Sequence, residues 1–289
     1  MGEADAQDWS DWLGREQVSH DRLAPALAAR WAGTFDLAAP DDGAMPQGIH
    51  LCLCTPDAPT AALGDDGHPG RSDSADSFFP PVPLPRRMWA ASKMQFHAPV
   101  AIGAHIERVS RIASIEEKSG RSGTLVFVDV DHRTSADGTL AVTERQTLVY
   151  REAAERDAPL SPPPATGDPF EPAAWDAHHT LVPDPRLLFR YSALTFNTHR
   201  IHYDAPYARE VERYRGLVVH GPLMASLLLQ LAAREFGDNR LASFGFRATS
   251  PAIADEPLHL ALRQGEAGIE LAAIAADGRQ CLKARASLA

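Results

Sequence analysis

Cysteine is scarce in this chain: 289 residues carry three, too few for a paired disulfide framework, which fits a reducing compartment. Two of them, Cys52 and Cys54, form C-x-C with no second ligand pair nearby, and read as buried or idle thiols rather than a metal or redox site. Long apolar runs are missing as well. The greasiest stretch, Leu223 to Ala233, is interrupted by Ser226 and Gln230 and is too short to span a bilayer. Positive charge is in deficit: 28 Lys and Arg against 38 Asp and Glu give a formal net charge of -10. That argues against a sequence-independent grip on nucleic acid, while leaving room for a local basic patch that binds an anionic ligand. The opening MGEADAQDWSDWL lacks the basic-then-apolar layout of a secretory signal, and Ala6 sits where a myristoylated Gly2 would want Ser or Thr. These absences lead us to expect a soluble cytoplasmic protein with neither a nucleic-acid nor a membrane partner.

What is present is a substantial core, 44% of residues being hydrophobic, divided by one conspicuous break. Residues 153–172, AAERDAPLSPPPATGDPFEP, mix charge, Pro and Gly without apolar periodicity and read as a linker. The flanking halves, 1–152 and 173–289, run in a similar order: an apolar helix candidate, then several β-rich stretches. In the first half, Arg22 to Trp31 suits a short helix. Leu37 to Pro85 is a long irregular span broken only by an apolar run at Ile49 to Leu53, the kind of segment that covers a binding face or moves. Strands are expected at Lys93–His97, Ala104–Glu117, Thr124–Arg133 and Leu140–Arg151. In the second half, Asp184 caps a helix with Pro185 in its first turn, and Gly221 to Phe236 forms a longer helix stopped by Gly237. Four strands follow, near Ala242–Thr249, Leu258–Glu266, Ile269–Ala275 and Gln280–Leu288. A long helix followed by four antiparallel strands suggests an α+β sheet wrapped around that helix.

Between the two C-terminal helices lies the most informative stretch, YSALTFNTHRIHYD followed by VVHGPLMAS. It crowds proton-handling side chains (Asn197, His199, His202, Tyr203, Asp204) into one loop, then opens an apolar helix with His220-Gly221-Pro222. Backbone N–H groups are unpaired at a helix start and the dipole there favours developing negative charge, so a carbonyl could be bound and polarised.

On these residues the chain resembles the MaoC-like hydratases and dehydratases of hot-dog fold, whose motif D-x-N-P-x-H precedes a helix opening with H-G. Asn197 stands at the Asp position, His199 at the Asn, Arg200 at the Pro and His202 at the catalytic His, while His220-Gly221 matches the H-G. The closer resemblance is to the type 2 hydroxyacyl-thioester dehydratases, which include mesaconyl-C4-CoA hydratases. Their loop is much like F-N-x-H-R-I-H-Y-D, and RRMWA at Arg86–Ala90 is similar to their N-terminal half. The resemblance implies a double hot-dog: two fused modules, each an antiparallel sheet wrapped around a central helix. The N-terminal module would be an acyl-CoA-binding wall without a catalytic motif, and the C-terminal module would carry the chemistry. It implies an enoyl-CoA hydratase acting on a short, branched or dicarboxylic acyl-CoA such as a mesaconyl-C4 or itaconyl thioester, with acyl-CoA as partner and no cofactor. Single hot-dog relatives build such a site by pairing; a fused chain can do so internally, and further assembly into a homo-oligomer stays open.

The expected chemistry follows from side-chain type. His202 takes a proton from water as the oxygen attacks the β-carbon and returns one to the α-carbon; Asn197, which cannot carry a proton, holds the water through its carbonyl; the Gly221 N–H polarises the thioester. Arg86, Arg87 and Arg200 suit CoA phosphates or a free substrate carboxylate, against the plainer reading of solvated or loop-packing arginines. Trp89 lines the acyl tunnel or belongs to the core. His199, Tyr203 and His220 complete the expected substrate contacts. The H-x-x-H of His199 and His202, with Asp204 and His220, has no accompanying Cys, and no metal is expected. Three rivals remain: a dehydratase of fatty-acid synthesis, a hot-dog thioesterase and a non-catalytic acyl-CoA binder.

Overall fold

Ten strands pair into one continuous antiparallel sheet, several of them with period-two burial. The structure, a computed structural model, describes residues 8–38, 43–72, 74, 77–120, 123–163, 170–266 and 268–289. Its first half holds β1 (Glu16–Arg22), α1 (Pro25–Thr34), β2 (Arg86–Phe96), β3 (His105–Gly120), β4 (Gly123–Ala136) and β5 (Thr139–Arg151). The second holds β6 (Ala177–Leu181), α2 (Pro185–Leu194), α3 (Ala205–Glu210), α4 (Gly221–Phe236), β7 (Leu241–Ala248), β8 (Leu258–Gly265), β9 (Gly268–Ala275) and β10 (Gln280–Leu288).

Strand order across the sheet is β1-β3-β4-β5-β2-β7-β10-β9-β8-β6. Each half therefore repeats one pattern, first strand, third, fourth, fifth, second, and the halves join along their second strands, β2 against β7, with Ser92 opposite Phe246 and Met94 opposite Phe244. The repeat extends to the helices. Both α1 and α2 follow the first strand, open with a proline and are followed by a left-handed residue, Asp36 at φ 52 and Phe196 at φ 48.

The halves diverge at the core. In the second, α4 lays Leu223, Leu228 and Leu229 into one apolar cluster with Leu260, Leu262, Leu271 and Leu282 of β8 to β10. Asp184 caps α2 by accepting the Leu187 N–H at 2.9 Å, and Gly237 ends α4 at φ 93, both as the sequence suggested. In the first half, no α-helix stands between α1 and β2 among the described residues; two 3-10 turns, Ile49–Cys52 and Thr60–Ala62, lie there instead. The space left over β3 to β5 becomes part of the cavity described below.

In the first half, two strands depart from expectation. β1 was not foreseen because EQVSHDR is polar on both faces; it is an edge strand held by its pairing with β3. β2 begins at Arg86 rather than Lys93, because a register shift between Trp89 and Ala91 breaks the alternation that periodicity relies on. The described part of the Pro-rich segment is tied down: the Ser161 N–H donates to Arg213 O and its carbonyl accepts from the Arg215 N–H.

Candidate active site

A cavity of about 800 Å³ runs between the halves, lined from the C-terminal side by Asn197, His199, His202, His220 and Gly221. The turn Arg200–His202 decides which of the motif residues face it. In a 3-10 turn, positions three apart lie on the same side, so Arg200 and Tyr203 share the outer face while Ile201 and His202 are buried. Neither Arg200 nor Tyr203 lines the cavity. Arg200 instead binds Asp204 at 2.8 Å and lies 4.0 Å over the Tyr207 ring, and Tyr203 is half exposed. Both were expected to touch substrate; Arg200 braces the loop and Tyr203 faces outward. Asp204 is also spent there, capping α3 by accepting the Tyr207 N–H at 3.1 Å.

His202 Nδ1 lies 2.7 Å from Val218 O, so this nitrogen carries the hydrogen and Nε2 keeps its lone pair. Burial holds its pKa down, to about 4, leaving the ring neutral at neutral pH. It stacks on His220, ring centroids 3.5 Å apart and planes 18° from parallel. His220, the residue before α4, bonds Ser192 Oγ through Nε2 at 2.9 Å, and burial, then the neighbouring His202, pushes its pKa far down. Two stacked imidazoles tolerate this contact because neither is charged. The stack carries His202 to the start of α4, where the Gly221 N–H has no partner among the described residues and Pro222 offers none.

Asn197 Oδ1 accepts the His199 N–H at 2.9 Å, closing the turn that shapes the loop; at least one of its lone pairs is therefore unavailable to a water. Among the arginines, Arg86 is committed to Glu212, bonding both its carboxylate and its backbone carbonyl, and lies over the Tyr214 ring. Arg87 faces the cavity with no carboxylate in ion-pair range among the described residues, its guanidinium 5.7 Å from the Phe79 ring centroid. Trp89 lines the cavity too, its Nε1–H donating to Ser92 Oγ at 2.8 Å, which in turn donates to Glu144.

Two groups of cavity residues were invisible to sequence reasoning. One is Asp66 and His68, bonded Oδ2 to Nδ1 at 2.8 Å, with the His68 ring 4.1 Å from that of His199. Donor atoms of Asp66, His68 and His199 lie within 4.8 Å of one another, the one grouping among the described residues with metal-like donor spacing. The direct bond between Asp66 and His68 occupies two of those donors. The other group sits on β3 to β5, where the second half would carry leucines against its helix. Arg108 bonds Thr134 Oγ1 at 3.1 Å and His50 O at 2.7 Å, with no carboxylate in ion-pair range among the described residues. Beside it, His132 bridges Ser110 and Gln146 at 2.8 and 3.3 Å. Burial raises the pKa of Glu144. A D-x-H within a Pro- and Gly-rich loop and scattered polar residues in strands carry no periodic signal, which is why they escaped notice.

The family model for hydroxyacyl-thioester dehydratase type 2 matches residues 48–254. A mesaconyl-C(4)-CoA hydratase of Chloroflexus aurantiacus is 42% identical over 285 residues, covering 97% of this chain and 98% of that one. Among solved structures, HtdX of Mycobacterium tuberculosis superposes with a TM-score of 0.68 at 18% identity, covering 95% of this chain and 100% of that one. A second protein of that organism, described as having a double hotdog fold, gives 0.58 at 16%, covering 96% of both chains. The repeated five-stranded halves are thus a double hot-dog.

Proposed function

Since the chain belongs to the hydroxyacyl-thioester dehydratase type 2 family, we propose that it is a hydro-lyase that adds water reversibly to an α,β-unsaturated acyl-CoA. What supports this reading is that His202, whose Nε2 keeps its lone pair, and Gly221, at the start of α4, line one cavity. The first is an unprotonated base and the second a helix-start donor suited to an enolate oxygen. Residues 173–289 supply these groups, and residues 1–152 supply the facing wall across the linker 153–172. In the forward direction, His202 Nε2 takes a proton as the water oxygen bonds to the β-carbon, and the π electrons move to the thioester oxygen at Gly221. The same proton then goes to the α-carbon as the enolate collapses, so no net proton is gained. No cofactor beyond the CoA thioester is required. A general base contributes typically about 10²–10⁴-fold and an oxyanion donor about 10²–10³-fold, a useful combined effect.

A short dicarboxylic acyl group of the mesaconyl-C4 type is the substrate we favour. The Chloroflexus relative bears that name, and Arg108, which lines the cavity with no carboxylate in ion-pair range among the described residues, supports an anionic acyl end better than an alkyl tail. We assign the protein to the cytoplasm: its three thiols are free, and among the described residues no helix is long and apolar enough to cross a membrane.

The test is a panel of crotonyl-, mesaconyl-, itaconyl- and longer enoyl-CoAs, following loss of conjugated-thioester absorbance with product identified by mass. Mesaconyl-C4-CoA should be hydrated fastest, and His202→Ala should lower kcat by about 10²–10⁴-fold. Thiol release from saturated acyl-CoA without any hydration would replace this reading with a thioesterase.

A further inference from the structure

We propose that His68, oriented by Asp66, is a second catalytic residue, brought into the active site by a loop of the N-terminal half to accept a hydrogen of the attacking water. The inference rests on the hydratase reading above. Residues 64–70 form a tight turn, with the Gly67 N–H donating to Gly64 O at 2.9 Å and the Gly64 N–H to His68 O at 2.8 Å. That turn is docked on the motif loop at several points. The Arg200 N–H donates to Asp66 O at 2.9 Å, the Arg200 guanidinium reaches Asp65 O at 3.0 Å, and Thr198 Oγ1 donates to Gly67 O. Gly67 adopts φ +86, and a Cβ there would lie 1.8 Å from Thr198 O, so only glycine permits this approach.

The docking delivers a particular chemistry. Asp66 Oδ1 accepts the His68 backbone N–H at 2.9 Å and Oδ2 takes the Nδ1 hydrogen at 2.8 Å. Ring and tautomer are thereby set, with the Nε2 lone pair left basic and strengthened by a carboxylate behind it. Burial lowers the pKa of His68 while the Asp66 bond opposes that, and the ring stays neutral at neutral pH. His68 lies 4.1 Å from His199, which in turn lies 5.4 Å from His202, and all three rings line one cavity. A water between His202 and His68 would give one hydrogen to each Nε2 lone pair and present its own lone pair to the β-carbon. One O–H bond then breaks toward His202 as the C–O bond forms. The other hydrogen stays on the new hydroxyl, still accepted by His68. This also explains how the site manages with an amide at Asn197, since the carboxylate-backed acceptor comes from the other half.

The experiment compares wild type, His68→Ala and Asp66→Asn on mesaconyl-C4-CoA and crotonyl-CoA, recording kcat, KM, the melting midpoint and rescue by added imidazole. His68→Ala should lose about 10–10²-fold in kcat, the size of one lost hydrogen bond to the attacking water. KM and the melting midpoint should be nearly unchanged, and imidazole should restore part of the rate. Asp66→Asn should lose about tenfold, without imidazole rescue. Near wild-type turnover in His68→Ala would overturn the proposal. So would a loss accompanied by a lowered midpoint and no rescue, since that assigns His68 to holding the loop. A wild-type protein inactive on every enoyl-CoA would instead bring down the hydratase reading itself.

Discussion

An imidazole serves as a base only while one ring nitrogen keeps its lone pair, and for His202 the Val218 carbonyl makes that choice. Loop geometry thus sets which nitrogen is left free, one hydrogen bond at a time. The same logic applies to charge. Arg108 carries its guanidinium into the cavity with two neutral oxygens, Thr134 Oγ1 and His50 O, as partners. A partly buried cation with no carboxylate in ion-pair range among the described residues is costly, and a substrate carboxylate would offset that cost on binding. Arg108→Gln should therefore raise KM for mesaconyl-C4-CoA by about 10–10²-fold, the size of a lost charge-assisted contact of about 1.5–3 kcal/mol. KM for crotonyl-CoA, which has no carboxylate, should hardly move. Equal effects on the two substrates, measured side by side, would remove Arg108 from substrate selection.

At the scale of elements, a helix present in one half and, among the described residues, absent from the other leaves room for the cavity. Where α4 fills the space against β8 to β10, the core is leucine; where the turns Ile49–Cys52 and Thr60–Ala62 lie instead, β3 to β5 turn Arg108, Ser110, His132 and Gln146 toward a cavity. α4 was legible in the sequence to the residue, from Gly221 to Phe236, because a long apolar run bounded by Pro and Gly is a local signal. The turn 64–70 was not, because its conformation is decided by a loop far along the chain, Thr198 lying 131 positions from Gly67. Gly67→Ala tests that long-range dependence. The added methyl cannot coexist with Thr198 O, so the turn should lift away, kcat should fall about as far as in the His68 variant, and the sheet should survive. Hydrogen exchange would then report new opening confined to residues 64–70 and 197–200. Full activity with unchanged exchange would mean the turn docks in another way.

Over the whole molecule, the cost of this architecture is a set of histidines kept neutral inside it. Burial holds His202 and His132 to about 4 and His50 to about 3, against an ordinary 6.5. The fold-level repeat was readable from the order of helix and strand candidates. This charge burden was not, because it depends on which histidines the cavity encloses. Its sign is definite. Well above pH 6.5 these rings are neutral whether the chain is folded or not, and they add no pH dependence. As pH falls from about 6.5 toward 4, the unfolded chain takes up protons that the folded one refuses, so stability declines through that window. Each fully buried ring contributes roughly 1–3 kcal/mol by the bottom of the window, a large share of a typical domain stability of about 5–15 kcal/mol. Urea midpoints measured from pH 7.5 to 4.5 (~3 units, spanning the interval of differential proton uptake) should therefore fall steeply. His132→Gln, which keeps a polar group between Ser110 and Gln146 but cannot charge, should flatten the slope by about one proton's worth. A midpoint independent of pH across that window would mean that these rings titrate normally, and hence that water reaches them in the folded protein.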